Sequence, residues 1–233
     1  MLALRQTWAI LKKDLILELR TREMLLSMFL FVLLTMVIFN SAFDAERTDL
    51  TTFGGGLLWL AFIFTSFLGL NRSVVHEKVE GCLDGLLLSP VDRSLIYVGK
   101  MLGNLIFISL VELVAIPIFT IFFIKFPYYV YPQNISLFLA GVFLANIGIA
   151  GVGTFVATLA ANTKRKDLLT PILGLPMLMP VLGAAVSISG ATMGGQLLVK
   201  TLNQAKEAMQ ILVFYDIVFL VAIALLYEVA LGE

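Results

Sequence analysis

MLGNLIFISLVELVAIPIFTIFFI, Met101 to Ile124, is a run of 24 residues with one formal charge, Glu112, and this stretch decides the fold. A hydrocarbon core about 30 Å thick is crossed by about 20 apolar residues of helix. The run is continuously apolar rather than alternating, and far longer than a barrel strand of roughly 10 residues, so it reads as a membrane-spanning helix. Five further stretches qualify on the same terms: Met24 to Phe43, Phe53 to Leu70, Leu137 to Ala161, Leu169 to Ser189 and Ile211 to Leu231. The expected fold is all-α, with six transmembrane helices in one domain covering residues 1–233. The composition agrees: 60% of the residues are hydrophobic, 14% are charged and the mean hydropathy is +0.98, more apolar surface than a soluble interior of this length can hide.

Sixteen basic residues balance sixteen acidic ones, so the net charge points to no nucleic-acid partner, and only the placement of charge is informative. Arg5, Lys12, Lys13, Arg20 and Arg22 precede the first span. Arg72, Lys78, Arg93 and Lys100 lie between the second and third, and Lys164, Arg165 and Lys166 between the fourth and fifth. Those twelve fall on one side, against Arg47, Lys125, Lys200 and Lys206 on the other, which by the positive-inside rule puts both termini in the cytoplasm. The basic N-terminal segment lacks the short apolar core and small-residue site of a cleaved signal peptide, so the first span is expected to persist. Residues 1–23 read as an amphipathic helix on the cytoplasmic face, with Leu4, Trp8, Leu11, Leu15 and Leu19 in one stripe, serving as a basic anchor or a mechanical part.

The first two external loops span about ten residues and the last about twenty. Within the last, Leu197, Leu198, Leu202, Ala205 and Met209 suggest a short interfacial or re-entrant helix. The fifth span carries Pro171, Pro176 and Pro180, which predict a kink or a break. The fourth is rich in small residues, among them Gly141, Ala145, Gly148 and Gly151, as close helix contact requires.

The polar stretch at residues 71–100 is longer than a connection between two spans needs to be. Glu77, Lys78, Glu80 and Asp84 alternate there with Val79, Leu83, Leu86 and Leu87, while Gly81 and Gly85 interrupt it and Pro90 stops it. A short broken helix over Val74 to Leu88 is the expected shape. A charged rim around an apolar knob suits a docking surface; a plain solvated loop is the other reading. Gly99-Lys100 is not a phosphate loop, because Ser94 stands where that motif needs Gly and Met101 where it needs Ser or Thr. Any ATP chemistry therefore falls to another chain.

Three polar residues remain. Glu112 lies mid-span and is either a functional group or a hydrogen bonder facing the bundle. Asp216, next to Tyr215, lacks the partner motif of an intramembrane aspartyl protease and reads as an interfacial residue near the outer surface. His76 is a lone histidine beside Glu77, as expected of a solvated position, and Cys82, the single cysteine, can form no intrachain disulfide.

Leu58-Trp59 early in the second span, then Leu70, Arg72, Glu80, Gly81, Leu83, the group Leu87-Leu88-Ser89-Pro90, and finally Gly99-Lys100 form a pattern that resembles the CcmB family. That family is the membrane (permease) subunit of the cytochrome c maturation haem exporter, an ABC complex. The resemblance implies a multi-pass subunit of the bacterial cytoplasmic (inner) membrane that binds no cofactor and catalyses no reaction itself. It implies a separate ATPase, CcmA, which binds the ATP, and the further partners CcmC, CcmD and the haem chaperone CcmE. Haem is then a possible cargo, or the complex drives release of haem-loaded CcmE. On this reading the chain forms a homodimer, and residues 71–100 couple it to the ATPase through Glu77, Glu80, Gly81, Leu83, Asp84, Leu87 and Pro90. An ABC exporter permease for a lipid, polysaccharide or drug, and an ATP-independent proton-coupled carrier using Glu112, are the alternatives.

Overall fold

A computed structural model describes residues 2–42, 50–79, 85, 91–123, 132–161, 166–193 and 199–230. Its long elements are seven helices: α1 (Leu2–Thr21), α2 (Glu23–Ala42), α3 (Leu50–Val79), α4 (Arg93–Phe123), α5 (Pro132–Ala161), α6 (Lys166–Met193) and α7 (Val199–Ala230). Six of them, α2 to α7, are long and apolar enough to cross a membrane, which establishes the all-α, six-span fold of a multi-pass membrane protein. Helices satisfy every backbone polar group within the segment, and lipid permits little else. The same requirement explains the hydroxyls: Thr65, Ser66, Thr158 and Thr192 each donate to the carbonyl four residues earlier, so no proton on them faces hydrocarbon unpaired.

The helices run past the predicted spans. Of the piece expected to be a separate interfacial or re-entrant helix, Leu197 and Leu198 lie outside the described residues, while Leu202, Ala205 and Met209 belong to the first turns of α7, because no Gly or Pro interrupts Val199–Ala230. Likewise Pro171, Pro176 and Pro180 all lie inside one uninterrupted helix, so α6 is not broken. Each proline removes one donor, and the rest of the ladder carries the helix through.

α5 is the hub of the bundle, in contact with α3, α4, α6 and α7. Its small residues make this possible, as the sequence pattern suggested. A Cβ at Gly141 would lie 2.8 Å from Ile188 of α6, and one at Gly153 would collide with Leu70 of α3. Without those methyl groups the helix axes approach closely, and packing replaces the hydrophobic drive that lipid does not supply. α2 and α7 lie at the periphery and turn Leu34, Ile38, Phe214 and Leu225 outward, as lipid-facing positions should.

α1 differs from the single stripe expected of it. Ile10 and Leu11 are buried, whereas Leu4, Trp8 and Leu19 are exposed together with Ile16. The helix therefore has two apolar sides, one against the first turns of α4 and one facing outward. Gly99 admits the contact with α4: a Cβ there would lie 3.0 Å from Cβ of Ile10 and 3.4 Å from the Thr7 carbonyl. Asp14, paired with Lys13 at 3.0 Å, sits beside Gly103 and interacts electrostatically with Lys100.

α1 and α2 meet in an elbow made of one residue. Arg22 adopts φ 57°, a left-handed conformation that is uncommon outside Gly, Asn and Asp. Its N–H donates to the Glu18 carbonyl at 2.7 Å and its own carbonyl accepts from Leu26 at 3.0 Å, so it closes one helix and opens the next. The buried Glu18 carboxylate then accepts from the Leu25 N–H at 2.8 Å, satisfying one of the free donors of α2 and placing negative charge at its positive end. Replacing Glu18 by Ala should cost about 1 kcal/mol of stability, the usual value of a helix cap. Thermal unfolding of the purified chain in detergent, compared with the unchanged protein, measures it; an unchanged midpoint would show that the cap does not hold the elbow.

Candidate functional site

The expected coupling segment is helical at both ends. α3 continues past Leu70 through Asn71–Val79, about 13 Å at 1.5 Å per residue, instead of stopping before a separate broken helix that starts at Val74. The reason lies in the sequence itself: nothing from Asn71 to Val79 breaks a helix, and the first glycine is Gly81. On the return, Asp92 stands just ahead of α4 and its carbonyl accepts from Leu95 at 2.9 Å and Ile96 at 3.3 Å. Two helical stems thus flank residues 80–92. Glu77 lies in the last turn of α3, as does His76, while Glu80, Gly81, Leu83, Asp84, Leu87 and Pro90 lie outside the described residues together with Cys82.

The stems are tied to the N-terminal elbow. Arg72 of α3 donates through Nη1 to the Glu23 carbonyl at 3.4 Å, at the start of α2. Gly99, Lys100 and Gly103 of α4 carry α1 through the contacts described above. Arg72 and Gly99-Lys100 are therefore the places where the stems meet α1 and α2.

Trp59 holds the opposite side of the membrane. Its indole Nε1 donates to Ser189 Oγ of α6 at 2.8 Å, both residues fully buried, and the ring stands edge-on to Phe62 at 5.7 Å. One turn away, a Cβ at Gly55 would lie 3.1 Å from Ser189 Cβ, so the α3–α6 crossing is tight there. Sequence reading marked Trp59 but could not find Ser189, which lies 130 residues away.

Glu112 is a buried hydrogen bonder: its Oε2 accepts from Asn146 Nδ2 of α5 at 2.6 Å, and the same amide lies 3.4 Å from Ser109 Oγ. Its Oε1 has no hydrogen-bond partner among the described residues. Such a pair between membrane helices is worth about 1 kcal/mol, less than the roughly 2.5–3.5 kcal/mol that a charged side chain costs at a helix centre. A single amide therefore does not offset a charge at this position.

Asp216 is not interfacial. It is buried, lies near the centre of the Asn203–Tyr227 span, and faces Gly148 of α5, where a Cβ would approach its Oδ1 to 2.8 Å. The expectation failed because α7 begins twelve residues before Ile211, which shifts Asp216 from the predicted edge toward mid-helix. Beside it Tyr215 stacks on Phe219 and donates to the Met177 carbonyl of α6 at 2.6 Å.

Six membrane-spanning helices, four of them packed against the small-residue α5, with two stems on the side of the amphipathic helix, define a multi-pass membrane protein of permease type. The family model for CcmB protein matches residues 5–227, and the chain belongs to the CcmB family. It is similar to heme exporter protein B of Rhodobacter capsulatus, 30% identical over 166 residues that cover 70% of this chain and 72% of that one. The protein of the same name from Pseudomonas aeruginosa is 28% identical over 173 residues (72% and 75%), and that from Bradyrhizobium diazoefficiens 26% identical over 193 residues (80% and 82%).

Replacing Trp59 by Phe keeps the ring but removes the donor, leaving Ser189 Oγ buried without it. We expect a loss of about 1–3 kcal/mol, recovered in part when Ser189 is also replaced by Ala. A double-mutant cycle on thermal stability reads the coupling; strictly additive losses would show that the bond does not join α3 to α6.

Proposed function

We propose that this chain is the membrane permease subunit of an ABC complex serving cytochrome c maturation, acting on haem or on release of the haem-loaded chaperone CcmE. The observation that carries the reading is the family match over residues 5–227, joined to the pair of helical stems around residues 80–92. Those stems are a lever. A partner that grips residues 80–92 pulls on α3 and α4 directly, and on α1 and α2 through Arg72 and Gly99.

The partner that supplies the force is an ATPase, CcmA, which binds ATP where this chain has no phosphate loop. Glu77, Glu80 and Asp84 are its charged contacts, with Gly81, Leu83, Leu87 and Pro90 shaping the apolar part of the dock. The chain forms a homodimer, one copy for each ATPase subunit, and works with CcmC and CcmD in the bacterial inner membrane with both termini cytoplasmic. Haem is cargo of the complex and not a cofactor held by this chain.

The hydrogen bond that Asn146 donates to Glu112 supports a bundle-facing place for that acid, away from the dock. Reversing charge at Glu77, Glu80 and Asp84 together should abolish copurification with the ATPase from detergent and cut cytochrome c assembly at least tenfold, with membrane levels of the chain unchanged. Glu112→Gln should leave copurification intact. Undiminished copurification in the triple variant would refute docking through these carboxylates.

A further inference from the structure

The buried polar side chains at the junction of α4, α5 and α7 are distributed unevenly across the membrane. From the α1 side inward, Thr158 Oγ1 of α5 lies 3.3 Å from the Tyr227 hydroxyl of α7, and the Tyr227 ring packs 4.9 Å from Tyr97 of α4. Asn104 Nδ2 then donates to Thr154 Oγ1 at 2.9 Å, and further in Asn146 meets Glu112 while Asp216 lies against Gly148. Beyond that layer the buried residues of these helices are apolar: Ala115 and Phe119 on α4, Val142 and Ala145 on α5, Ala208 and Leu212 on α7. The buried polar side chains of the junction therefore all lie between the α1 side and mid-membrane, set there among apolar residues such as Phe107, Ile108, Ile149 and Ile223, and outward from mid-membrane the junction is hydrocarbon alone.

Several polar atoms along this line are buried and have no hydrogen-bond partner among the described residues: the Tyr97 hydroxyl, Glu112 Oε1, Asn146 Oδ1 and both carboxyl oxygens of Asp216. In a protein interior such atoms normally find a partner, and in lipid the need is greater. The charges that face the two acids do not supply one. α4 offers Tyr97 and, twelve residues and about 18 Å along the helix from Glu112, Lys100, which is engaged with Asp14 of α1. α7 offers Tyr215, bonded to Met177, and Tyr227. The sequence of α5 has no titratable residue, α3 has none from Leu57 to Leu70, and α6 has none after Asp167.

We propose that the junction of α4, α5 and α7 is a proton site, in which Glu112 and Asp216 stand as neutral acids whose protons exchange with the α1 side of the membrane along the polar line past Asn104 and Tyr97. A neutral acid is both donor and acceptor, so it can use oxygens that a carboxylate would leave stranded in hydrocarbon. Asn146 and Gly148 are two residues apart, about 3 Å along the axis of α5, so both acids stand in one layer on different sides of that helix. Gly148 is essential to the arrangement, since any side chain there would displace Asp216. A movement that parts α7 from α5 would expose Asp216 to water and release its proton. The same conformational cycle would thus take up and release protons on one side of the membrane without carrying them across.

Infrared spectroscopy of the full-length chain in lipid nanodiscs at neutral pH tests the proposal. The carbonyl band of protonated carboxyl groups should be present, and Asp216→Asn and Glu112→Gln should each remove a separate component. Both components should move to lower frequency within minutes of transfer to deuterium oxide, and Gly148→Ala should shift the Asp216 component. Should a variant fail to fold, carboxyl isotope labelling of aspartate or glutamate in the unchanged protein assigns the same components. Absence of the band, its appearance only when sodium is removed, or components that stay unshifted in deuterium oxide for hours would each overturn the proposal. They would mean, in turn, ionised acids, a metal-cation site and a sealed pair.

Discussion

Close approach to α5 is the constraint on which the bundle depends. A helix that touches four others needs a surface without projecting side chains, and α5 provides it at Gly141, Gly148, Gly151 and Gly153 on different sides. Large side chains fill these notches: Ile188 at Gly141, Asp216 and Val181 at Gly148, Leu220 and Tyr97 at Gly151, and Leu70 at Gly153. In a soluble protein burial of apolar surface would draw these helices together, but here lipid tails would cover the same surface equally well. What favours helix over lipid is the number of close contacts made when a side chain fits a glycine notch. Interhelical hydrogen bonds such as Asn104 to Thr154 are worth about 0.6 kcal/mol on average in membranes, so they set rotation and register more than they set stability.

A second set of contacts lies where α1 crosses the stems. α1 is bound to α4 through Gly99 and Gly103, and to α2 through Arg22 and the Glu18 cap, while Arg72 returns from α3 to the start of α2. The result is a closed ring of contacts around the stems, α3 to α2 to α1 to α4. Within such a ring one stem cannot move alone without breaking a link. A peripheral anchor would need only the outward face of Leu4, Trp8 and Leu19; the inward face of Ile10 and Leu11 has no purpose unless α1 also bears on α4.

The spans were legible in the sequence because their signal is a sum over about 20 residues, which no single exception upsets. Helix ends were less so. Hydropathy falls at Asn71 and again before Ile211, but the backbone follows propensity and the absence of breakers, so α3 and α7 run on through polar residues. Asp216 was misplaced for that reason: a polar residue five positions from the apparent edge of a span looks interfacial until the helix is seen to begin at Val199. For Glu112 the sequence showed depth but not orientation, and its partner Asn146 is 34 residues away. Trp59 and Gly99 were visible as parts of a family pattern, yet their physical reasons, a bond to Ser189 and a notch for Ile10, are contacts between distant segments that no local pattern contains.

These placements divide the molecule into two halves of different packing. On the side away from α1, the α3–α6 crossing is locked by Trp59 and Ser189 and by the tight fit at Gly55, and the junction of α4, α5 and α7 is filled with hydrocarbon. On the α1 side the same junction carries buried polar side chains, and its helices end in stems and an elbow held by the hydrogen bonds of Arg72, Glu18 and Arg22. Apolar packing with a buried bond resists displacement, whereas polar contacts near water exchange their partners at small cost. Force applied to the stems would therefore open the bundle from the α1 side first, with the Trp59 crossing as the fixed end. The contact between Gly148 and Asp216 lies at the boundary between the two halves, where such an opening would stop or pass through.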